Sequence, residues 1–299
     1  MKPAEDGSRA PDDGAGGAGG TRGTNATGTA TGLNQPVAQA EIGWAGRRLT
    51  IEYQWVGDER PGRPVLVFLH EGLGSLAMWK DFPARFCQQR GYRGLVYSRP
   101  GYGNSTPRPA DERWAPDFMH RQAREVLPAL LAAVGMDRHS ARPWLFGHSD
   151  GGSIALLHAA AYPERVGGLV VLAPHIFVEE ISVASIRATR ETWLTTDLPR
   201  RLARYHADPD SAFWGWNDIW LDPAFRDWNI TAEVATIRCP VLAVQGEDDE
   251  YGTLQQVLGI REALPAAEVL VLLRCGHSPH RDQEPGLMRE AGAFIDRHA

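Results

Sequence analysis

The chain has 299 residues, of which 43% are hydrophobic and 23% charged, as expected of a globular protein with a sizeable core. Its formal net charge of −6 gives no electrostatic reason to expect a nucleic acid or an anionic membrane as partner. No apolar run approaches the roughly 18 residues of a membrane-spanning helix, and the first residues lack the apolar core of a secretory signal. We therefore expect a cytoplasmic protein.

Three cysteines, Cys87, Cys239 and Cys275, are widely spaced along the chain. Their odd number and their spacing fit neither a disulfide framework nor a zinc site. We expect buried, reduced thiols and no metal.

Residues 1–36 contain almost no large apolar side chains and are rich in Gly, Ala, Thr, Asp and Pro. Such a segment cannot bury enough surface to offset the entropy lost on ordering, so we expect a disordered tail.

Apolar strands alternate with amphipathic helices through the rest of the chain. A strand pair is expected between Trp44 and Trp55, with Gly46 near the turn. Continuous apolar runs, typical of strands buried on both faces, lie at 65–69, 94–97, 144–146, 169–172, 241–244 and 269–273. Helical spacing occurs at 78–90, 117–135, 151–162, 253–264 and 285–298. This alternation predicts an α/β fold, a mostly parallel sheet of about eight strands with helices on both faces.

One interval breaks the alternation. About sixty-five residues separate the strand that ends near Ala173 from the strand that starts near Pro240, which is too long for a simple crossover. This interval is rich in helix formers and tryptophan. We predict a helical cap at 175–235, inserted into a core formed by 37–174 and 236–299.

A G-x-S-x-G motif occupies residues 147–151, with Ser149 at its centre. The motif lies between an apolar strand and a helical segment, where a sharp turn exposes the serine hydroxyl at the carboxyl edge of the sheet. The flanking glycines are expected because a Cβ atom would collide with the neighbouring strand or helix. The short motif alone is a weak signal, and its setting makes Ser149 the candidate nucleophile.

A serine hydroxyl needs a base, and the base needs an orienting acid. His277 follows the last apolar strand directly and is the candidate base. The candidate acid lies in the acidic run 247–250, just after the preceding strand. The resulting chain order of Ser, Asp and His is one of the known orders of such triads.

These motifs resemble the α/β-hydrolase fold family over the chain from about residue 42 to the end. The family usually has G-x-x-D after this strand, which implies Asp249 as the acid, with Asp248 as the alternative. Its G-H pair implies that the base is His277 and not His280, for which a surface or supporting position is expected.

The oxyanion of an acyl-transfer intermediate needs N–H donors. The Asp150 backbone, next to the nucleophile, is expected to supply one of them. The loop at residues 70–75 resembles the family's H-G-x-x-G loop, including Trp79 nine residues past the histidine, and its resemblance implies Gly72 as the second donor. Two residues depart from the family pattern: Glu71 replaces a glycine, and Ser98 replaces an aspartate. The carboxylates of Glu71 and Asp150 either lie near the pocket or form ion pairs with Arg99 or another arginine.

The motifs favour a serine hydrolase that cleaves a carboxylic ester, lactone or thioester of a small molecule through an acyl-enzyme. Hydrolysis of a carbon–carbon bond in a ring-cleavage product of aromatic degradation is the alternative. From a different class, a catalytically silent ligand-binding protein also remains open, although no triad member is missing. No motif for a cofactor occurs, and the oligomeric state is not predicted.

The cap is expected to determine the choice of substrate. Its tryptophans suggest an apolar or aromatic substrate, or they form the cap's own core. Its arginines are expected to form a solvated basic face, and the alternative is that they contact an anionic substrate. The arginines are Arg187, Arg190, Arg200, Arg201 and Arg204.

Overall fold

The computed structural model describes residues 35–136 and 142–299. Most of the segment expected to be a disordered tail, residues 1–34, lies outside these described residues. The first regular element begins two residues after the predicted end of that tail.

Eight strands form one sheet, which confirms the predicted fold class. The strands are β1 (Ala38–Trp44), β2 (Arg47–Val56), β3 (Val65–Leu69), β4 (Arg93–Tyr97), β5 (Trp144–His148), β6 (Gly168–Leu172), β7 (Val241–Gly246) and β8 (Glu268–Leu272). Their order across the sheet is β1-β2-β4-β3-β5-β6-β7-β8. β1 and β2 pair antiparallel, β2 pairs antiparallel with β4, and the other pairs are parallel.

The first hairpin turns at Ala45 and Gly46, whose φ angles of 50° and 73° suit the tight turns that match the twist of paired strands. The predicted position of Gly46 is therefore correct. β1 is longer than expected, because alternate residues from Ala40 to Trp44 are buried and continue the half-buried pattern of a strand toward the N-terminus.

Helices cover the sheet and follow most strands. They are α1 (Phe82–Arg90), α2 (Phe118–Arg121), α3 (Leu127–Ala133), α4 (Asp150–Ala161), α5 (Glu180–Thr195), α6 (Leu198–Leu202), α7 (Pro209–Leu221), α8 (Thr231–Val234), α9 (Gln255–Ala263), α10 (Pro279–Asp282) and α11 (Glu284–His298). A wide π-helical turn, Gln122–Val126, joins α2 to α3. Short 3₁₀ turns lie at Leu76–Trp79 and Pro223–Phe225.

Apolar side chains on both faces of the sheet explain the uninterrupted hydrophobic strands. Along β3, Leu66 and Phe68 belong to the core on one face, whereas Val67 and Leu69 belong to the core on the other. All four side chains are fully buried. The alternation of side chains along a strand divides this run between the two faces.

We call residues 175–235 the cap segment. It contains α5 to α8 and lies in the chain between β6 and β7. Helix α7 of this segment contains three tryptophans, and the sequence explains why it begins at Pro209. Asp208 accepts a hydrogen bond from the Ser211 amide at 2.9 Å, and Pro209 needs no acceptor at the first helical position.

The three cysteines are free thiols. Cys87 and Cys275 are buried as predicted, but Cys239 is partly exposed, so the expectation of burial is wrong for this residue. Within the described part of the chain, no helix combines the length and apolar character needed to cross a membrane.

Candidate active site

Ser149 lies at a tight turn between the end of β5 and the start of α4. Its φ of 52° and ψ of −121° are strained for a residue with a side chain. Its amide donates to Leu172 O at 2.8 Å, which ties the turn to β6. The side chain is almost buried, since Ser149 is 7% exposed.

The glycines on each side of Ser149 make this turn possible. A Cβ atom on Gly147 would lie 2.3 Å from the Gly151 carbonyl oxygen, and one on Gly151 would lie 2.1 Å from Leu69 O. Real Cβ atoms do not approach so closely. The strand and the helix therefore meet only if both positions are glycine, as expected from the motif.

His277 and Asp249 meet at the carboxyl ends of β8 and β7. The His277 ring places Nδ1 2.8 Å from Asp249 Oδ1 and 3.0 Å from Oδ2. A carboxylate only accepts, so the proton of the ring is on Nδ1 and Nε2 is left as the acceptor. Asp249, and not the alternative Asp248, is thus the carboxylate that contacts the candidate base.

Asp249 is held in place by three further donors. Gln245 Nε2 donates to Oδ2 at 2.6 Å, and the amides of Tyr251 and Gly252 donate to Oδ1 at 2.8 and 3.2 Å. Burial acts to raise the pKa of Asp249, but the bond and charge of His277 and the Tyr251 amide outweigh it and lower the pKa. The group is therefore an ionised, fixed partner for the imidazole.

No hydrogen bond joins Ser149 Oγ to the His277 ring among the described residues. Bonds of this kind are often long before substrate binds and tighten in the reacting complex. The His277 amide donates to Glu250 Oε2 at 3.1 Å, which anchors the loop that carries the base.

The loop after β3 is organised around the carbonyl group of Glu71. This oxygen accepts from His70 Nδ1 at 2.7 Å, from Arg99 Nη2 at 2.9 Å and from the Gly74 amide at 3.1 Å. His70 Nε2 accepts from the Arg99 amide at 3.0 Å, so the ring is neutral with its proton on Nδ1. Burial, followed by the charge of Arg99, lowers the pKa of His70 and favours the same neutral form.

The amides of Gly72 and Asp150, the two candidate oxyanion donors, are both free. Because a trans peptide directs its C=O and N–H groups oppositely, the Gly72 N–H points away from the donors that hold the Glu71 carbonyl. The Asp150 N–H belongs to the first turn of α4, where amides have no partner within the helix. Neither amide has an acceptor among residues 35–136 and 142–299.

The Asp150 side chain turns toward Arg99 and the cap segment. Asp150 Oδ2 lies 3.6 Å from Arg99 Nη2, and both side chains are buried. Trp220 Nε1 donates to Asp150 Oδ1 at 3.1 Å. Burial raises the pKa of Asp150, and Arg99 and Trp220 partly offset that rise. For the Asp150 carboxylate the sequence left open a position near the pocket or an ion pair with an arginine, and the structure contains the ion pair with Arg99.

Ser98 occupies the position of the family's aspartate, and a carboxylate from another strand reaches it. Glu52 of β2 is 3% exposed, and its Oε1 accepts from Ser98 Oγ at 2.5 Å. Ser98 Oγ in turn accepts from the Leu76 amide at 2.8 Å, and Asn104 Nδ2 donates to Glu52 Oε2 at 2.8 Å. Sequence reasoning missed Glu52, and the only related signal in the sequence was the serine at the position of the family's aspartate.

The cap segment contacts the loops that carry the candidate site. A Cβ atom on Gly72 would lie 2.2 Å from Trp216 Nε1, so the indole packs directly on this glycine. His206 accepts from the Gly103 amide at 3.0 Å and donates from Nε2 to Leu73 O at 3.1 Å. These contacts hold the cap segment against the loop after β3.

The cap tryptophans divide between the two interpretations given for them. Trp193 stacks on Phe213 with ring centroids 4.0 Å apart, inside the cap segment itself. Trp216 and Trp220 instead contact the loop and elbow residues of the site. Of the five arginines, Arg190 bonds to Asn217 and pairs with Asp218, and the others are exposed.

Two of the remaining histidines pack below the elbow. His148 is 1% exposed and bonds to the His277 carbonyl, whereas His280 is 2% exposed and lies against Trp79 with ring centroids 4.9 Å apart. Among the residues that the structure describes, no cluster of three metal-binding side chains occurs.

Comparisons with known proteins agree with this architecture. The sequence model of the alpha/beta hydrolase family matches residues 66–291. A 2-hydroxy-6-oxononadienedioate/2-hydroxy-6-oxononatrienedioate hydrolase of Paraburkholderia phymatum is 27% identical over 265 residues, which are 78% of this chain and 86% of the relative. The serine hydrolase BPHL of Homo sapiens is 25% identical over 234 residues, 74% of each chain.

Solved structures share the fold at lower identity. An esterase from Thermogutta terrifontis superimposes with a TM-score of 0.66 at 18% identity, over 89% of this chain and 100% of the other. The enol-lactonase from Burkholderia xenovorans superimposes with a TM-score of 0.65 at 19% identity, over 87% of this chain and 100% of the other. With its sheet, its elbow and the family match, this chain belongs to the alpha/beta hydrolase family and is a hydrolase.

Proposed function

We propose that the protein is a serine hydrolase that cleaves a carboxylic ester, lactone or thioester of a small molecule through an acyl-enzyme. The observation that carries this proposal is the His277–Asp249 pair, which leaves His277 Nε2 as a free acceptor beside the loop of a strained, nearly buried serine. Asp249 holds the imidazole in the tautomer that accepts the Ser149 proton.

The reaction starts when Ser149 Oγ attacks the carbonyl carbon and its proton moves to His277 Nε2. The charge on the substrate oxygen is stabilised by the free amides of Gly72 and Asp150. His277 then protonates the leaving alcohol or thiol, and a water that gives its proton to His277 hydrolyses the acyl-enzyme. Asp249 stays ionised throughout, in keeping with its lowered pKa.

The cap segment supports an apolar or aromatic substrate. Trp216 and Trp220 meet the site from this segment, at Gly72 and at Asp150. Aromatic walls of this kind favour apolar groups and exclude water from the acyl-enzyme.

A second function within the same chemistry is hydrolysis of a carbon–carbon bond next to a ketone. The relatives named for 2-hydroxy-6-oxononadienedioate hydrolysis and a Burkholderia cepacia relative named 2-hydroxy-6-oxo-6-phenylhexa-2,4-dienoate hydrolase, 24% identical over 241 residues, favour it. Water adds to the ketone, the carbon–carbon bond breaks, and the products are a carboxylic acid and an enol.

A substrate panel separates these functions. The purified protein is assayed with short and aromatic acyl esters, lactones, thioesters and 2-hydroxy-6-oxo-6-phenylhexa-2,4-dienoate, with Ser149→Ala as control. We expect ester, lactone or thioester turnover that Ser149→Ala loses. A kcat/KM for the dienoate that exceeds that of every ester by about 100-fold or more would favour carbon–carbon hydrolysis, since this corresponds to about 2.7 kcal/mol of transition-state binding. Absence of turnover together with tight binding of a panel member would favour a silent binding protein.

A further inference from the structure

Glu71 is a carboxylate that the proposed reaction does not use. Its side chain, 17% exposed, folds back over Gly74, where an added Cβ atom would lie 2.4 Å from Glu71 Oε2. Gly74 therefore provides the space for the carboxylate. Oε2 lies 3.5 Å from His148 Nδ1, and Oε1 lies 3.7 Å from Arg281 Nη2.

His148 faces an acceptor at each ring nitrogen. Nε2 lies 2.7 Å from the carbonyl oxygen of His277, which can only accept, so Nε2 carries a proton. Nδ1 faces the Glu71 carboxylate at ion-pair distance. The ring is 1% exposed and has no room to turn toward water. His148 thus connects the oxyanion loop directly to the backbone of the candidate base.

The other titratable groups around the pair leave this arrangement intact. His280 packs with its ring centroid 4.9 Å from that of His148, and burial lowers its pKa to about 2, so it is neutral. Burial acts to raise the pKa of Glu71, but the interaction with the neighbouring His148 ring outweighs burial and holds this pKa well below its usual range. Glu71 is therefore ionised at neutral pH, with the Arg281 guanidinium 3.7 Å from its Oε1 atom.

We propose that Glu71 and His148 are a positioning pair for the base: Glu71 fixes His148, and His148 fixes the His277 backbone through Nε2. The proposal rests on the proposed role of His277. Glu71 precedes Gly72 and His148 precedes Ser149 in the chain. The pair therefore positions His277 relative to the nucleophile Ser149 and also relative to the oxyanion donor Gly72.

The first experiment measures the reactivity of Ser149 with a fluorophosphonate probe, together with kcat and KM on the best substrate. Glu71→Gln removes the charge, His148→Gln keeps a donor near the Nε2 position, and His148→Phe removes it. The control is Glu284→Gln, which removes a carboxylate of similar exposure, 20%, whose ion-pair partner is Arg85 and not a member of the Glu71–His148 pair.

Misplacement of a reacting group by about 1 Å costs on the order of 100-fold in rate. We expect His148→Phe and Glu71→Gln to lower kcat and the labelling rate about 10- to 100-fold with little change in KM. His148→Gln is expected to recover most of the loss, and Glu284→Gln to match the wild type. Equal rates for His148→Gln and His148→Phe, or for Glu71→Gln and Glu284→Gln, would overturn the proposal.

A second measurement does not depend on turnover. In ¹⁵N spectra, we expect the Nε2 proton of His148, which donates to the His277 carbonyl oxygen, to exchange slowly with water in the wild type and faster in Glu71→Gln. Equal exchange rates in the two proteins would overturn the pairing even if His148→Phe fails to fold. If wild-type Ser149 does not react with the probe, the proposed function fails; if it reacts and the variants equal the wild type, only the positioning role fails.

Discussion

Trp220 of the cap segment donates from its indole Nε1 to Oδ1 of Asp150, the residue after the nucleophile, across 3.1 Å. Both side chains are almost fully buried, at 1% and 0% exposure. One hydrogen bond thus joins the cap segment to the first turn of the helix that begins at the elbow. The hydrogen bond also offsets part of the desolvation free energy of the buried Asp150 carboxylate beside Ser149.

Trp220→Phe should remove this hydrogen bond and leave a buried acceptor without a donor. We expect the free energy of unfolding to fall by about 1–3 kcal/mol beyond the loss of packing. Trp228→Phe is the matched control, because the Trp228 indole is also buried but its Nε1 has no hydrogen-bond partner among the described residues. Urea denaturation of both variants measures the difference, and equal losses would show that the bond to Asp150 contributes nothing.

The same variant should make stability depend on pH in a defined direction. The pKa of Asp150 is raised in the folded protein, and the Trp220 bond opposes that rise. The contribution of Asp150 to the free energy of unfolding is therefore fully present below the unfolded-state pKa. It is lost as the pH rises through the folded-state pKa. Without the bond the folded-state pKa rises further, so the deficit of Trp220→Phe should grow with pH. Denaturation curves at several pH values test this, and a deficit that shrinks with rising pH would contradict it.

Asp249→Asn should keep the shape of the site while changing the tautomer of His277. An amide can donate to Nδ1, which would place the imidazole proton on Nε2 and block it as an acceptor. We expect kcat to fall by on the order of 10⁴-fold, the size seen for the equivalent change in a serine protease. Steady-state kinetics provides the measurement, and a loss under about tenfold would remove Asp249 from the proposed triad.

Asp249 should also contribute to acid sensitivity. Its pKa is lowered in the folded protein, so its contribution to stability is present above the unfolded-state pKa of about 3.9 and is lost as the pH falls through the folded-state value. The stability difference between the wild type and Asp249→Asn should therefore shrink below about pH 4. A difference that stays constant down to pH 2 would argue against the lowered pKa.

Gly147→Ala should destabilise the elbow, since its Cβ atom would lie 2.3 Å from Gly151 O. We expect a loss of about 1–3 kcal/mol or more from overpacking. Gly286→Ala is the control: this glycine lies in α11, has no atom within 4 Å of an added Cβ, and should gain up to about 1 kcal/mol. Thermal unfolding measures both changes, and losses of similar size would mean that the elbow tolerates a side chain.

Ser98→Asp tests whether Glu52 occupies the place of the family's aspartate. The new carboxylate would lie against Glu52, which already reaches within 2.5 Å of Ser98 Oγ. Two buried like charges at this distance repel, so we expect marked destabilisation and a raised pKa for one of them. Adding Glu52→Gln should restore most of the stability. Non-additivity in the double-mutant cycle is the readout, and additive losses would contradict the assignment.

The sequence predicted the buried parallel strands, the elbow and the chain order of Ser149, Asp249 and His277 because these depend on local patterns: apolar runs and flanking glycines. It could not predict Glu52 beside Ser98, because β2 and β4 come together only through the sheet order. The partners of Glu71 and Asp150 remained open for the same reason. A side chain's choice between solvent and an ion pair depends on contacts between residues far apart in the chain, such as Arg281 with Glu71.

The proposed nucleophile is tested most directly by mapping the site of fluorophosphonate modification. Intact-protein mass spectrometry of the wild type should show one adduct, and peptide mapping should place it on Ser149. Ser149→Ala should remain unmodified under the same conditions. A wild-type protein that stays unmodified while correctly folded, or an adduct on any other residue, would contradict the account of this site as a serine hydrolase.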